Sequence, residues 1–412
     1  MLQKVPTMRL AYVCADPGIP VFGQKGCSIH VQEVIRALRQ QGAAVELFAV
    51  RLGGNPPADL ADLKVHRLPS VPPGEAAMRE QIALSINPDL QTDLALNGPF
   101  DAIYERYSLW SYSAMEFARS AGIPGLLEVN APLIEEQAQH RGLVYHDVAI
   151  QAAKRAFQAA SGLIAVSQEV KRYLSDWVNP GKVHVIANGV NHHRFDNHFR
   201  ALRQPRPLNA DTFTVGFVGS LKPWHGLSHL VGAFAQLHQR LPQARLLIVG
   251  DGPQRQSLEA DLEQRHLRHA VSFTGAVPPD QIPELLAAMD AAVAPYPAST
   301  DFYFSPLKAV EYMAAGLPVV ASRIGQLTEL IEDGVTGLLC PPGDEAALAA
   351  ALEQLWQSPR LRRQLGRAAC QQVLIHHTWD AVAARILAIA QNSTVTASSI
   401  PPTLRTPQDS LC

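Results

Sequence analysis

SPLKAVEYMAAGLPVVAS, residues 305–322, reads as a turn, a short helix and a β-branched strand. Pro306 suits the first turn of a helix, where its missing N–H costs nothing. Ala309, Val310, Met313 and Ala314 give that helix an apolar side, Gly316 stops it, and Val319 and Val320 leave as a strand. A helix feeding directly into an apolar strand is one half of a βαβ unit, so the question becomes whether the rest of the chain repeats it.

It does, in both directions. Downstream, QLTELIEDG, TGLLCPPGD and helices to about residue 391 follow. Upstream run FTVGFVG, GLSHLVGAFAQLHQRLP, ARLLIVGDG, PQRQSLEADLEQRHL, AVSFTGAV, PDQIPELLAAM and AAVAPYP. The first half alternates in the same way, from RLAYVCA and SIHVQEVIRALRQQG through AVELFAV, DAIYERY, SAMEFARSAG and GLLEVNA to a helical stretch over 134–160, then GLIAVS, SQEVKRYLSDW and KVHVIANGV. Strands alternating with helices predict parallel sheets covered on both faces. Between the halves, DNHFRALRQPRPLNAD is polar, Pro-containing and aperiodic, and reads as a linker. The chain is therefore read as α/β, with two doubly wound domains facing across a cleft. Residues 1–195 form the N-terminal domain, 196–211 the linker and 212–376 the C-terminal domain; 377–391 form a closing helix and 392–412 a Ser/Thr/Pro-rich disordered tail.

The 412 residues exceed one ordinary core, in agreement with two domains. Lys plus Arg number 35 against 37 Asp plus Glu, so no global field favours nucleic acid or an acidic membrane. Five scattered cysteines, Cys14, Cys27, Cys340, Cys370 and Cys412, form no CxxC pair, which favours a reducing, cytoplasmic setting and offers no zinc site. The apolar start, Leu10 to Cys14, is too short for a signal-peptide core and reads as a buried strand. No stretch approaches 18 uninterrupted apolar residues.

Polar residues at strand ends are the candidate site, because ligands of doubly wound sheets sit at carboxyl ends. PGIPVFGQKGCSIHV carries Gly23, Lys25 and Gly26 into the first helix, whose N-terminal amides suit an anion. FVGSLKPWHG places Ser220, Lys222 and His225 after the first strand of the second half. VGDGP adds Gly250, as a point of close backbone approach, and Asp251, which serves equally as a helix cap. Arg106 in ERYSLWSY suits a phosphate or carboxylate. In EVNAPLIEEQ the bland reading of Glu128, Asn130, Glu135 and Glu136 is a turn followed by a solvated helix face. In the opening stretch, the free amides of Ser305 to Lys308 carry the positive helix end and Glu311 follows one to two turns later. A carboxylate there matches a ribose diol with one oxygen per hydroxyl.

Together NGV (188–190), VGDGP, SPLKAVEYMAAGLPVVAS, ELIEDGVTGLLCPPGD and HTWDAVAARIL (377–387) resemble the retaining nucleotide-sugar glycosyltransferases of family 4, in order and spacing. That resemblance implies the GT-B architecture of two Rossmann-like domains. It implies transfer of a hexose from a nucleotide diphosphate sugar to an acceptor hydroxyl with retention, an EC 2.4 activity needing no cofactor or metal. Glu311 matches the second glutamate of the family's E-x7-E element, which binds the donor ribose. Leu307 and Lys308 match backbone amides that meet the diphosphate, and Lys25 and Gly26 match the glycine loop facing donor and acceptor. The chain departs from the pattern at Tyr303, where the first glutamate belongs, and at Ser220 and His225, where an Arg and a Lys hold the diphosphate. It departs again at Asn130, where many members carry a His-Asp pair. Lys222 supplies part of the missing charge, while His225, Asn130 and Arg106 are the expected catalytic group. The partners implied are a nucleotide sugar and an acceptor that is a saccharide, a lipid-linked sugar or a small molecule, with peripheral membrane contact conceivable. The departures keep a non-catalytic nucleotide-sugar-binding protein as the alternative. A dinucleotide oxidoreductase is disfavoured by the lack of GxGxxG after either first strand.

Overall fold

The computed structural model describes residues 8–195, 212–298 and 307–398, with side chains to 393. The proposed linker, Tyr303, Ser305 and Pro306, and the last fourteen residues of the proposed tail lie outside the described residues. Seven parallel strands build the first sheet: β1 (Arg9–Cys14), β2 (Ala44–Ala49), β3 (Lys64–Arg67), β4 (Ala102–Arg106), β5 (Gly125–Val129), β6 (Gly162–Ala165) and β7 (Val183–Val185). Six build the second: β8 (Phe213–Val218), β9 (Ala244–Val249), β10 (Val271–Gly275), β11 (Ala291–Ala294), β12 (Val319–Ser322) and β13 (Leu338–Cys340). Their orders are 3-2-1-4-5-6-7 and 10-9-8-11-12-13. Each order reverses beside its first strand, between β1 and β4 and between β8 and β11, and the crevice outside the carboxyl ends opens there.

Burial on both faces explains the near-continuous apolar strands: Leu10 to Cys14 are at most 1% exposed, and all of β11 and β12 is buried. The helix Gly26–Gln40 contributes Val31, Val34, Ile35 and Leu38 to one core layer. The closing helix Trp379–Ser398 returns to that same layer with Trp379, Val382, Ala383, Ile386 and Ala390. It continues through Ser398 and corrects a tail starting at 392. The stretch 134–160 is also corrected: helices Leu133–His140 and His146–Ala159 are separated at Gly142, whose φ of +77° no helix tolerates. Val190 and Phe195, placed by sequence in the first domain, are buried with Ala309, Val310 and Met313 of the second.

The carboxyl ends of the two sheets face each other. Gln326, past β12, donates from Nε2 to the Val166 carbonyl past β6 at 2.7 Å. His140 and Trp224, beyond β5 and β8, bring their rings to 6.4 Å. No helix among the described residues is long and apolar enough to cross a membrane.

The chain crosses between lobes twice, and the crossings touch. Val190 N–H donates to His377 O at 2.8 Å, and Trp379 N–H to Val190 O at 3.3 Å. Gly189 makes this possible, since a Cβ there would sit 2.7 Å from Trp379 N and 2.8 Å from Thr378 C. Backbone cannot yield as a side-chain tip does. Gly189→Ala is therefore expected to cost about 2 kcal/mol or more, read as a lower urea midpoint at unchanged slope; an unaltered midpoint would show that the crossings separate freely.

Candidate functional site

On the second lobe the site grows from the end of β8. Buried Tyr312, in the helix Leu307–Ala314, donates its hydroxyl to Val218 O (3.2 Å) and accepts from Val218 N–H (2.7 Å). This clasp sets Lys308, one turn earlier, over the Phe217 ring at 4.4 Å and the Tyr296 ring at 5.2 Å. Lys308 Nζ is out of solvent and has no hydrogen-bond partner among the described residues. A Cβ on Gly219 would lie 3.3 Å from it, so the ammonium sits directly beneath the loop after β8. Burial of the charged form drives its pKa from 10.5 down to about 7.

His225 joins this group, its ring 5.8 Å from Tyr296 and 6.0 Å from Phe217. Its Nδ1 lies 2.5 Å from Ser220 O. A carbonyl only accepts, so Nδ1 carries the proton and Nε2 is left for the cleft. Desolvation, then the Lys308 charge, pushes the imidazole down to about 4. Lys222, half-buried, lies 5.6 Å above the Trp224 ring, and the Ser220 side chain is exposed beside it. The structure thus brings Ser220, Lys222, His225 and Lys308 together, with the Lys308 side chain a participant that sequence reading had credited only with an amide.

Gly250 and Asp251 have a different explanation. Gly250 (φ +134°) packs its backbone on Gly219, where a Cβ would meet Gly219 O at 2.1 Å. The close approach is to the chain itself: Gly219 N–H donates to Val249 O and Leu221 N–H to Asp251 O. The Asp251 carboxylate turns to Arg255 at 3.3 Å and to its neighbour's N–H at 2.7 Å. Both residues build the loop that presents Ser220.

Glu311 is 27% exposed and paired with Arg194 at 3.3 Å. Desolvation raises its pKa and Arg194 opposes that. Arg194 belongs to the turn His192–Phe195 just past the first crossing, a partner sequence reading missed. Leu307, half-buried, opens the helix as described.

On the first lobe, Glu128 is buried in β5 rather than on a solvated helix face, which corrects the bland reading for that residue. His30 Nε2 lies 2.5 Å from its Oε1, Tyr104 donates to Oε2 (2.8 Å), Asn130 Nδ2 donates to Oε1 (3.0 Å), and Arg106 Nη1 stands 3.7 Å away. Burial disfavours the carboxylate, yet these partners outweigh it and hold Glu128 at about 2. Desolvation lowers His30. Arg106 and Asn130 therefore converge, but on Glu128, with buried Arg106 Nη1 making no hydrogen bond among the described residues. A single His in the first helical turn was the only signal for His30, and it is packed edge-on against Trp379 at 5.1 Å. Gln32 fixes the glycine loop by donating to Val21 O (2.8 Å) and Gly23 O (3.0 Å). Lys25 and Gly26 are exposed at the mouth of the helix, with open space over Gly26.

Among the described residues, one group has metal-ligand spacing: His192, His193 and Asp380, with ligand atoms within 4.8 Å. It lies at the crossings, in a hollow shared with Arg36 and Trp379.

Residues 25–194 match the family described as Glycosyltransferase Family 4, and 212–358 match Glycosyl transferases group 1. Together these matches span well over half of the chain. A glycogen synthase of Mycobacterium tuberculosis is 28% identical over 69% of this chain and 66% of its own, just under two thirds. A D-inositol 3-phosphate glycosyltransferase of Jonesia denitrificans is 28% identical over 97% and 99%. Among solved structures, sucrose-phosphate synthase from Thermosynechococcus elongatus aligns with TM-score 0.69 at 23% identity, over 95% of this chain and 100% of that one. Anabaena Alr3699/HepE, in complex with UDP and glucose, aligns at 0.68 and 22%, over 93% and 100%. At such identities the alignments establish a shared fold.

Because the Glu128 carboxyl is held near 2 against an ordinary 4.5, its contribution to stability is complete above 4.5 and disappears as pH falls through 2. Glu128→Gln should be less stable at pH 6, and its stability should fall less steeply with acid between those values. Urea titrations at stepped pH check this; parallel acid limbs would mean that Glu128 titrates as a free carboxyl.

Proposed function

Since this chain belongs to the family 4 glycosyltransferases of GT-B fold, we propose that it transfers a hexose from a nucleotide diphosphate sugar to an acceptor hydroxyl with retention of anomeric configuration. The observation that carries the proposal is the buried Lys308 ammonium at the carboxyl end of β8, unpaired among the described residues. A desolvated cation without a counter-ion is costly, and an arriving diphosphate supplies the missing anion. Ser220 and His225 stand where the family's Arg and Lys belong, and Lys308 restores the charge from below.

In this reading the helix opening at Leu307 and Lys308 stabilises the departing diphosphate, with Lys222 beside it; His225, whose Nε2 is bare in the apoprotein, donates there only after taking up a proton as the phosphates arrive. Glu311 exchanges Arg194 for the two ribose hydroxyls. Asn130 and Arg106, held by Glu128, face the reacting sugar. The leaving phosphate takes the acceptor proton on the same face, and catalysis comes from positioning and charge stabilisation. The relative that holds UDP and glucose makes UDP-hexoses the first donors to test.

Glu311→Ala should weaken UDP binding by about tenfold, the worth of one charge-assisted hydrogen-bonding site. Lys308→Met should bind uridine as the wild type does, while losing the preference for UDP over UMP. Calorimetry checks both. Equal affinity of wild type for UDP and UMP would sink the phosphate site. Donor binding with neither transfer nor slow donor hydrolysis would leave a binding protein instead.

The proton balance gives a separate check. Folding lowers the Lys308 pKa from 10.5 to about 7, so the unfolded chain holds one more proton between those values. Apoprotein stability should therefore rise with pH from 7 to 10.5, and Lys308→Met should lose that rise. UDP, by pairing with the ammonium, should bind with proton uptake at pH 8, seen as a dependence of calorimetric heat on buffer ionisation enthalpy. No uptake would mean that the phosphates do not reach Lys308.

A further inference from the structure

The two crossings between the lobes carry a cluster that the proposed transfer leaves unused. Val190 and Thr378 pair there as a parallel bridge, so both segments leave it in the same direction. Two residues on, the first crossing reaches His192 and the second reaches Asp380. His193 follows, its ring 4.0 Å from that of His192. One ligand atom from each of His192, His193 and Asp380 lies within 4.8 Å of the others. A tetrahedral ion bonded at about 2.0–2.1 Å holds its ligands roughly 3.4 Å apart, a difference within reach of side-chain rotation. His193 is exposed and the other two are half-buried, so an ion can enter from solvent.

The segments that carry these groups are themselves fixed. Asp380 stands in the first turn of the closing helix, which Thr378 caps by accepting from Ala381 N–H at 3.2 Å. The histidines stand in the turn His192–Phe195, closed by Arg194 N–H to Asn191 O at 3.3 Å. The helix Gly26–Gln40 supplies the facing wall, and the hollow between them measures about 30 Å³, room for one ion and a bound water. Arg36 also lines it, but its guanidinium is taken up by Asp59 and by Glu33 Oε1 (3.0 Å). Glu33 Oε2 accepts from Asn191 Nδ2 at 3.1 Å, which leaves Asn191 Oδ1 out of solvent and without a hydrogen-bond partner among the described residues. Asn191 lines the same hollow. An unsatisfied buried acceptor is costly, and a water bound to an ion would satisfy it.

We propose that His192, His193 and Asp380 bind one divalent first-row transition ion of the zinc class, which ties the first crossing to the second. Two imidazole nitrogens and a carboxylate suit Zn²⁺ or Co²⁺, whereas Mg²⁺ and Ca²⁺ take oxygen ligands. The ion acts as a clamp and takes no part in transfer. It joins residues far apart in the chain, and it steadies the turn whose next residue, Arg194, pairs with Glu311 at 3.3 Å.

Calorimetry and equilibrium dialysis of the metal-stripped full chain, free of any histidine tag, test it with Zn²⁺ as the probe and Mg²⁺ as the control. The wild type should bind a Zn²⁺ that excess Mg²⁺ does not displace, and Co²⁺ in its place should give the visible absorption of a low-coordinate site. His192→Ala, His193→Ala and Asp380→Asn should each weaken that binding by at least about tenfold. His269→Ala, which alters an exposed histidine of the second lobe, should leave it unchanged. Zn²⁺ should also raise the urea midpoint of the wild type but not that of Asp380→Asn, and the zinc-free midpoints report whether each variant folds. The proposal is overturned if the wild type binds no zinc, or if Asp380→Asn binds it as tightly as the wild type, since the histidines alone do not bridge the crossings. Sedimentation that finds the zinc held between two molecules overturns it as well.

Discussion

Tyr312 holds the end of β8 by both polar groups of Val218, and the second lobe's chemistry depends on that clasp. A phenol buried in an apolar layer needs partners, and the terminal peptide of a strand offers both a donor and an acceptor. Satisfying them docks one short helix at one height and one rotation. Lys308 is then directed under Gly219, Glu311 toward Arg194, and the helix mouth toward the loop bearing Ser220. Without the clasp, an eight-residue helix would have little to fix its register.

The loops around that clasp are set by backbone packed on backbone. Gly250 against Gly219, Gly252 against Leu221 and Gly226 against Pro295 leave no room for a Cβ. These glycines were visible in the sequence, and their strand-end position was read correctly. Their neighbour was not, because a glycine that admits a ligand and one that admits another loop look alike in one dimension. Asp251 shows the same limit: a polar residue after a strand serves the following helix as readily as a ligand.

Alternation of apolar strands and amphipathic helices made the two-sheet architecture legible, since doubly covered parallel strands have no other way to be composed. Polar β3, read KVHR, carries no such signal and went unforeseen. The break at Gly142 was hidden because apolar spacing resumes in phase on either side. Glu128 and His30 were misjudged or missed for a physical reason. Each alone is a common surface residue type, and their meaning lies in an ion contact across 98 residues of chain that only the sheet order brings together.

The two lobes treat their buried cations in opposite ways, and the difference bears on how labour is divided between them. Arg106 is always charged, so the first lobe gives it Glu128 and loses little by keeping it paired in every state. Lys308 is a group that can shed its proton, and the described residues of the second lobe leave it without a counter-ion, at the edge of neutrality. A paired cation is a fixed dipole that orients what it meets. An unpaired lysine responds, recovering its full charge when an anion arrives and releasing it when the anion departs. Under the proposed function, binding strength that depends on the ligand's own charge would suit a lobe that grips a diphosphate and then lets it go. A standing, pre-paid arrangement would suit the lobe against which, on the same proposal, the sugar is placed.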